Sequence, residues 1–258
     1  MILKYKNTSV FYTDYGIGKT IVLLHGFLEN STIWYPFING LKNQNRIICI
    51  DLLGHGKTEC MGYIHTMEQM AEAVNAVISQ LNIKTYTVAG HSMGGYVALA
   101  LAEKYPEYVD GLLLVNSTSQ SDSEERKQNR DRAITAVKHD HKTFIRIAIA
   151  NLFNPETKSK HANTIEQITI EALKTPLQGI VAALEGMKIR KNRNKTFSQF
   201  QHKKAMFISI KDPVLDYNSL FKEARTANIE VVEFPDGHMS FIENEVSFFQ
   251  NFMHFIEK

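Results

Sequence analysis

The chain is poor in the features that mark several large protein classes. It has only two cysteines, Cys49 and Cys60, among 258 residues. That is too few for a disulfide framework, and nothing sets them in a metal-binding pair. No apolar run approaches the ~18 residues needed to cross a bilayer. Residues 1–10 alternate apolar and polar, with Lys4 and Lys6 among them, and hold no hydrophobic secretory block. Neither sign of charge dominates: 29 basic residues face 27 acidic ones, unlike the concentrated basic balance of a dedicated nucleic-acid binder. Low-complexity tracts and internal repeats are missing too. What is present is ordinary globular composition, 44% apolar and 22% charged, in a chain long enough to bury a core without staples. These features predict a cytoplasmic protein, a monomer or small homo-oligomer, without a membrane span and without nucleic acid as partner.

Short apolar runs recur at residues 21–24, 46–51, 85–90, 112–115, 205–210 and 229–234. Runs apolar on both faces are what parallel strands covered by helices on each side require. Helical patterns at 67–81, 93–105, 220–227 and 245–256 lie between or after them. Residues 9–13 read as an antiparallel hairpin strand. The segment Gly16-Ile17-Gly18-Lys19-Thr20 lacks the first glycine of a phosphate-binding loop and reads as a hairpin turn. The whole predicts a doubly wound, mostly parallel α/β sheet. The alternation breaks once, where four helical patterns (123–138, 142–152, 163–175 and 177–188) run without a strand. Residues 118–204 carry a net charge of +8 against −6 for the rest. The expected organisation is a core of residues 1–117 and 204–258 with an inserted helical cap at 118–203.

Gly90-His91-Ser92-Met93-Gly94 fits the pattern G-x-S-x-G. The physical need is a strand that turns sharply into a helix, exposing one strained serine, with small residues two before and two after so that the turn does not clash. Here a strand pattern precedes the motif and a helix pattern follows it. That context separates it from a chance match.

With this elbow the sequence resembles the α/β-hydrolase superfamily, in particular its small single-chain esterase-like members with a helical cap. Three further motifs in the family's order carry the resemblance: His25-Gly26-Phe27, then Asp51-Leu52-Leu53-Gly54-His55-Gly56-Lys57-Thr58, then a late acid and histidine after the elbow. The resemblance implies the order Ser, Asp or Glu, His along the chain, which removes His25, His55, His65 and His91 as the general base. His238 follows a strand pattern through the turn Pro235-Asp236-Gly237, and is expected to take the proton from Ser92. The orienting acid should follow the strand at 205–210, where Asp212 is the first choice and Asp216 its competitor. Asp51 precedes the serine, so its expected role is to fix the loop at Gly54–Gly56. The resemblance places the oxyanion donors at the backbone N–H groups of Met93 and Phe27, with His25 buttressing the latter.

The implied reaction is cofactor-free and metal-free acyl transfer on a small-molecule carboxylic ester or thioester. Trp34, Phe144, Phe153 and Met187 are candidates to line the substrate pocket. The basic cap predicts a bias toward anionic substrates, with Arg190 and Arg193 as candidate carboxylate contacts. His139-Asp140-His141 reads as a solvated loop rather than a metal site, and the charges around Glu124-Glu125-Arg126-Lys127 as a solvated helix face. Two other functions fit the same residues: a lyase like that of the menaquinone pathway, and a signalling protein that binds a ligand in a triad-containing pocket.

Overall fold

The computed structural model describes residues 1–258. Two strands, β1 (Ile2–Tyr5) and β2 (Thr8–Tyr15), open the chain, joined by Lys6 and Asn7, both at positive φ as a tight two-residue hairpin turn requires. The alternation follows: β3 (Lys19–Leu24), α1 (Tyr35–Leu41), β4 (Asn45–Ile50), α2 (Met67–Gln80), β5 (Tyr86–His91), α3 (Met93–Lys104) and β6 (Val109–Val115). Five helices come next without a strand: α4 (Glu124–His139), α5 (His141–Ala150), α6 (Ala162–Ala172), α7 (Leu177–Lys188) and α8 (Asn194–Ser198). The chain then returns to the sheet with β7 (Lys203–Ser209), α9 (Tyr217–Thr226), β8 (Glu230–Phe234), α10 (Ser240–Glu243) and α11 (Glu245–Glu257).

The eight strands form one sheet in the order β1-β2-β4-β3-β5-β6-β7-β8. Pairing is antiparallel for β1–β2 and β2–β4 and parallel for every other pair. One expectation is corrected here. The Gly16–Lys19 turn does not close a hairpin, because β4 lies between β2 and β3. Its glycines, at φ +75° and +120°, instead bring the chain against the carbonyls of Lys42, Gln44 and Asn45, where a Cβ would clash. The short helices α1, α8 and α10 are absent from the sequence reading. They run four to seven residues, too short for a helical period to stand out.

Side chains of the parallel strands alternate between two cores. Val22, Leu24, Ile48, Ile50, Val88, Leu112, Leu114, Met206 and Ile208 meet α2, α3 and α9 on one face. Ile21, Leu23, Ile47, Cys49, Leu113, Val115 and Phe207 meet α1 and α11 on the other. Ile134, Val137, Ile149, Ile180, Leu184 and Met187, from α4, α5 and α7, belong to the first of these cores. The five-helix segment therefore packs as part of the same body as the sheet, above the carboxyl ends of β3, β5, β6 and β7. That edge is where loops of a parallel sheet can gather a site.

Candidate active site

Ser92 stands between β5 and α3 at φ +48°, ψ −114°, a conformation an L-residue adopts only under constraint. The constraint is visible. The Ser92 N–H donates to Val115 O at 2.9 Å, and Ser92 O accepts from Gly95 N (2.9 Å) and Ser117 Oγ (2.8 Å). A Cβ at Gly90 would overlap the Gly94 carbonyl, and one at Gly94 would stand 2.5 Å from Leu24 O. Small residues at both positions are thus a steric requirement of the turn.

Asp212 follows β7, and its side chain is fully enclosed. Its Oδ2 accepts from His238 Nδ1 at 2.7 Å and Asn116 Nδ2 at 3.0 Å; its Oδ1 accepts from the N–H groups of Val214 (2.7 Å) and Leu215 (3.0 Å). Burial works against the carboxylate, but the His238 ring, the Asn116 amide and the Leu215 N–H outweigh it and hold Asp212 below the usual carboxylate range. Asp216 does something else. It is exposed and caps α9, accepting from Ser219 N at 2.8 Å. His238 sits on the loop after β8, and its N–H donates to Leu152 O at 2.7 Å, tying that loop to the five-helix segment. No hydrogen bond joins Ser92 Oγ to His238, although both line one cleft of about 90 Å³; such contacts commonly close only around substrate.

The N–H groups of Phe27 and Met93 have no acceptor within the protein. Met93 is the first residue of α3, so its donor adds to the positive end of a twelve-residue helix. His25 is buried and fixes the loop behind Phe27: Nε2 accepts from Leu52 N at 2.9 Å, which leaves Nδ1 to donate to Gly26 O at 2.8 Å. Burial keeps this ring neutral by lowering its pKa. Asp51 ties two loops together by accepting from Ser31 N (2.7 Å) and Lys57 N (2.8 Å).

The cleft is lined by Phe27, His91, Ser92, Tyr96 and His238 below, and by Arg126, Arg130, Leu152, Met187 and Val214 from loops and helices above. Of the expected pocket residues, Met187 is there. Trp34 and Phe153 are not: both are buried in the core beside α1 and α11, with Trp34 stacked on Phe241 at 5.2 Å. Phe144 packs against the opposite core and does not line the cleft.

Arg190 and Arg193 are corrected as well. Arg190 is buried, bonded to Asp122 and to the carbonyls of Gln120 and Met187, with its guanidinium 4.1 Å from the Tyr96 ring centre. Arg193, equally buried, binds Glu68 Oε1 at 2.6 Å and Glu103 Oε2 at 3.0 Å. The arginines that reach the cleft are Arg126 and Arg130, which the sequence reading assigned to a solvated helix face. The charged run hides an i, i+4 pair whose partner, Asp122, is fully buried. A larger cavity of about 520 Å³ lies beside the cleft, shares Glu29 with it and does not include Ser92.

Comparison with known proteins places this geometry. The family model for the alpha/beta hydrolase fold matches residues 19–245. The chain belongs to the α/β hydrolase fold family. A thermophilic esterase from Thermogutta terrifontis, solved with malate bound, is 27% identical over 100% of this chain and 97% of its own, with a TM-score of 0.91. An enol-lactonase from Burkholderia xenovorans superposes at a TM-score of 0.92 with 20% identity over the full length of both, a likeness of fold. The probable lysophospholipase BODYGUARD 1 of Arabidopsis thaliana is 36% identical over 110 residues, 40% of this chain, and the match spans only 24% of that protein's length. No helix is long and apolar enough to cross a membrane.

Proposed function

We propose that this chain is a serine hydrolase of small carboxylic esters or thioesters, working by acyl transfer. Ser92 attacks the substrate carbonyl while His238 takes its proton, and Asp212 holds the imidazole in the tautomer that leaves Nε2 free to accept. The Met93 and Phe27 N–H groups receive the oxyanion. His238 then protonates the leaving group, and water repeats the sequence to release the acid. Residues 118–203 serve as a cap over the core formed by 1–117 and 204–258, excluding bulk water from the cleft. The observation that carries this reading is the 2.7 Å Asp212–His238 hydrogen bond in the same cleft as a strained elbow serine flanked by two unpaired N–H donors.

Two arginines narrow the substrate. Asp122 receives Arg126 Nε, Arg130 Nε and Arg190 Nη1, so one carboxylate faces three guanidinium groups. Nη1 and Nη2 of Arg130, and Nη2 of Arg126, meet no protein acceptor. Both arginines also line a second cavity of about 230 Å³ that continues from the cleft. Partly buried guanidinium groups with spare donors suit a carboxylate on the substrate, which Arg130 can grip bidentately through Nη1 and Nη2 while Arg126 adds Nη2. The small volumes favour short acyl chains.

A fluorophosphonate probe tests the reading. It should label Ser92, and Ser92→Ala should lower kcat on short 4-nitrophenyl esters by about 10⁴–10⁶. Activity within tenfold of wild type, or labelling elsewhere, overturns the assignment. A labelled Ser92 with no ester turnover would instead point to elimination chemistry on the same residues.

A further inference from the structure

The residue before Ser92 is a buried titratable group that the proposed reaction does not use. His91 is completely buried, and each of its ring nitrogens faces an acceptor: Nδ1 stands 3.0 Å from Glu29 Oε2, and Nε2 stands 3.0 Å from the backbone carbonyl of His238. A neutral imidazole has one N–H and can satisfy only one of these. Two arrangements remain. Either His91 holds both protons and Glu29 is a carboxylate, or Glu29 holds the proton and donates it to Nδ1.

The surroundings choose between them. Glu29 Oε2 also accepts from Gly26 N at 2.5 Å, which favours the carboxylate. A free carboxyl is about two units more acidic than an imidazolium. The other titratable groups near His91 are the Asp212 carboxylate, the neutral His25 and the His238 ring, whose centre lies 4.9 Å away. Phe241 closes the remaining side edge-on. Burial alone would deprotonate His91, but the Glu29 carboxylate and the His238 carbonyl outweigh it and raise its pKa, while His91 in turn lowers that of Glu29.

We infer that His91 and Glu29 form a buried imidazolium–carboxylate pair that positions the active site. The bonds run from the Gly26 N–H through Glu29 and His91 to the His238 carbonyl, joining three loops. Phe27, the proposed oxyanion donor, follows Gly26; Ser92 follows His91; His238 is the proposed base. One pair thus fixes the backbone of all three against one another. A Cβ at Gly26 would stand 2.8 Å from both Glu29 Oε2 and His91 Nδ1, so the loop is fitted closely to the pair. The kinetic part of this inference rests on the reading of Ser92 and His238 given above; the protonation state does not.

Glu29→Gln is the decisive variant, because it can keep the shape while removing the charge. The Gln carbonyl can still accept from Gly26 N, and its amide can donate to a neutral His91 Nδ1. The kcat for a neutral 4-nitrophenyl ester should fall roughly tenfold while KM stays within about twofold, as expected when reacting groups are held less firmly in place, with Tm recorded alongside. In parallel, ¹⁵N NMR of the histidine-labelled full chain, with His91 assigned from His91→Asn, should show both ring nitrogens protonated at pH 7. A His91 that titrates in the ordinary range or shows one unprotonated nitrogen at pH 7 overturns the inference, as does a Glu29→Gln variant whose kcat stays at the wild-type value while only Tm falls. If no ester is hydrolysed and Ser92 resists labelling, yet the imidazolium signature persists, the pair stands and the functional reading fails.

Discussion

The arginines at the two ends of the five-helix segment are used in opposite ways. At its far end Arg190 and Arg193 are buried among carboxylates, carbonyls and an aromatic ring. At its near end Arg126 and Arg130 share one buried carboxylate and keep donors facing the cleft. The two aspartates after β7 also divide, but by partner: Asp216 caps a helix, while Asp212 is enclosed and engages His238. Charge alone does not distinguish a structural group from a functional one. Among the arginines the distinction is whether the protein itself uses up the group's hydrogen-bonding capacity; between the aspartates it is the partner, a helix N–H for Asp216 against the His238 ring for Asp212.

The largest effect expected from breaking this contrast is on the aspartates. Asp212→Asn should lower kcat by up to about 10⁴ by favouring the wrong His238 tautomer, as in the serine-protease template, whereas Asp216→Asn should stay within about threefold. Equal losses in the two variants, measured on one short ester, would erase the distinction. Next comes Arg193→Met, which removes the buried guanidinium shared by the part-exposed carboxylates of Glu68 and Glu103 and should cost about 1–2 kcal/mol in chemical denaturation. Arg130→Met should fall well short of that. A stability loss as large at Arg130 would make it a structural residue like Arg193.

Acid should weaken the scaffold before it protonates the Asp212 carboxylate. Burial, with His25 beside it, holds the His55 ring at about 3, and burial holds His65 at about 4. Both lie below the unfolded value of 6.5, so the unfolded chain binds protons that the folded one refuses. Their contribution is complete above pH 6.5 and fades as pH falls toward 4 and 3, at about 1.4 kcal/mol per pH unit for each group. His91 works in reverse, its raised pKa contributing most at low pH and less as pH climbs past it. Denaturation midpoints across pH 4–7 check the balance, and His55→Gln should flatten the acid slope; an unchanged slope would remove His55 from it.

Smaller again is the substrate preference. For a hemiglutarate ester against a neutral ester of equal size, the kcat/KM ratio should favour the anion, and Arg126→Met or Arg130→Met should reduce that ratio by roughly tenfold, the value of one charge-assisted contact. A ratio unmoved by both variants would return these arginines to a solvated face. The smallest effect belongs to Asp216→Ala, which removes a helix cap at a cost of about 1 kcal/mol without altering the preference.

Local chemistry wrote much of this protein into its sequence. Apolar runs bounded by turns gave the parallel strands, and the spacing of Gly90, Ser92 and Gly94 at a strand–helix junction dictated the strained elbow, because a side chain at either glycine would clash. Asp51, at the end of its strand, was likewise readable as a loop brace. Strand order was not local. The glycines at 16 and 18 announced a turn but could not say that β4 would pass between the strands on either side of it. The partners of charged groups were also out of reach, since Glu29 and His91 are 62 residues apart, and His91 and the His238 carbonyl 147. Trp34, Arg126 and Arg190 have side chains suited equally to a core, a cleft or a surface, and only packing across the sheet assigned each its place. Periodicity and steric demands act over a few residues and can be read from them; hydrogen-bond saturation is a property of the closed fold, and only the tertiary structure decided which polar groups were left free to act.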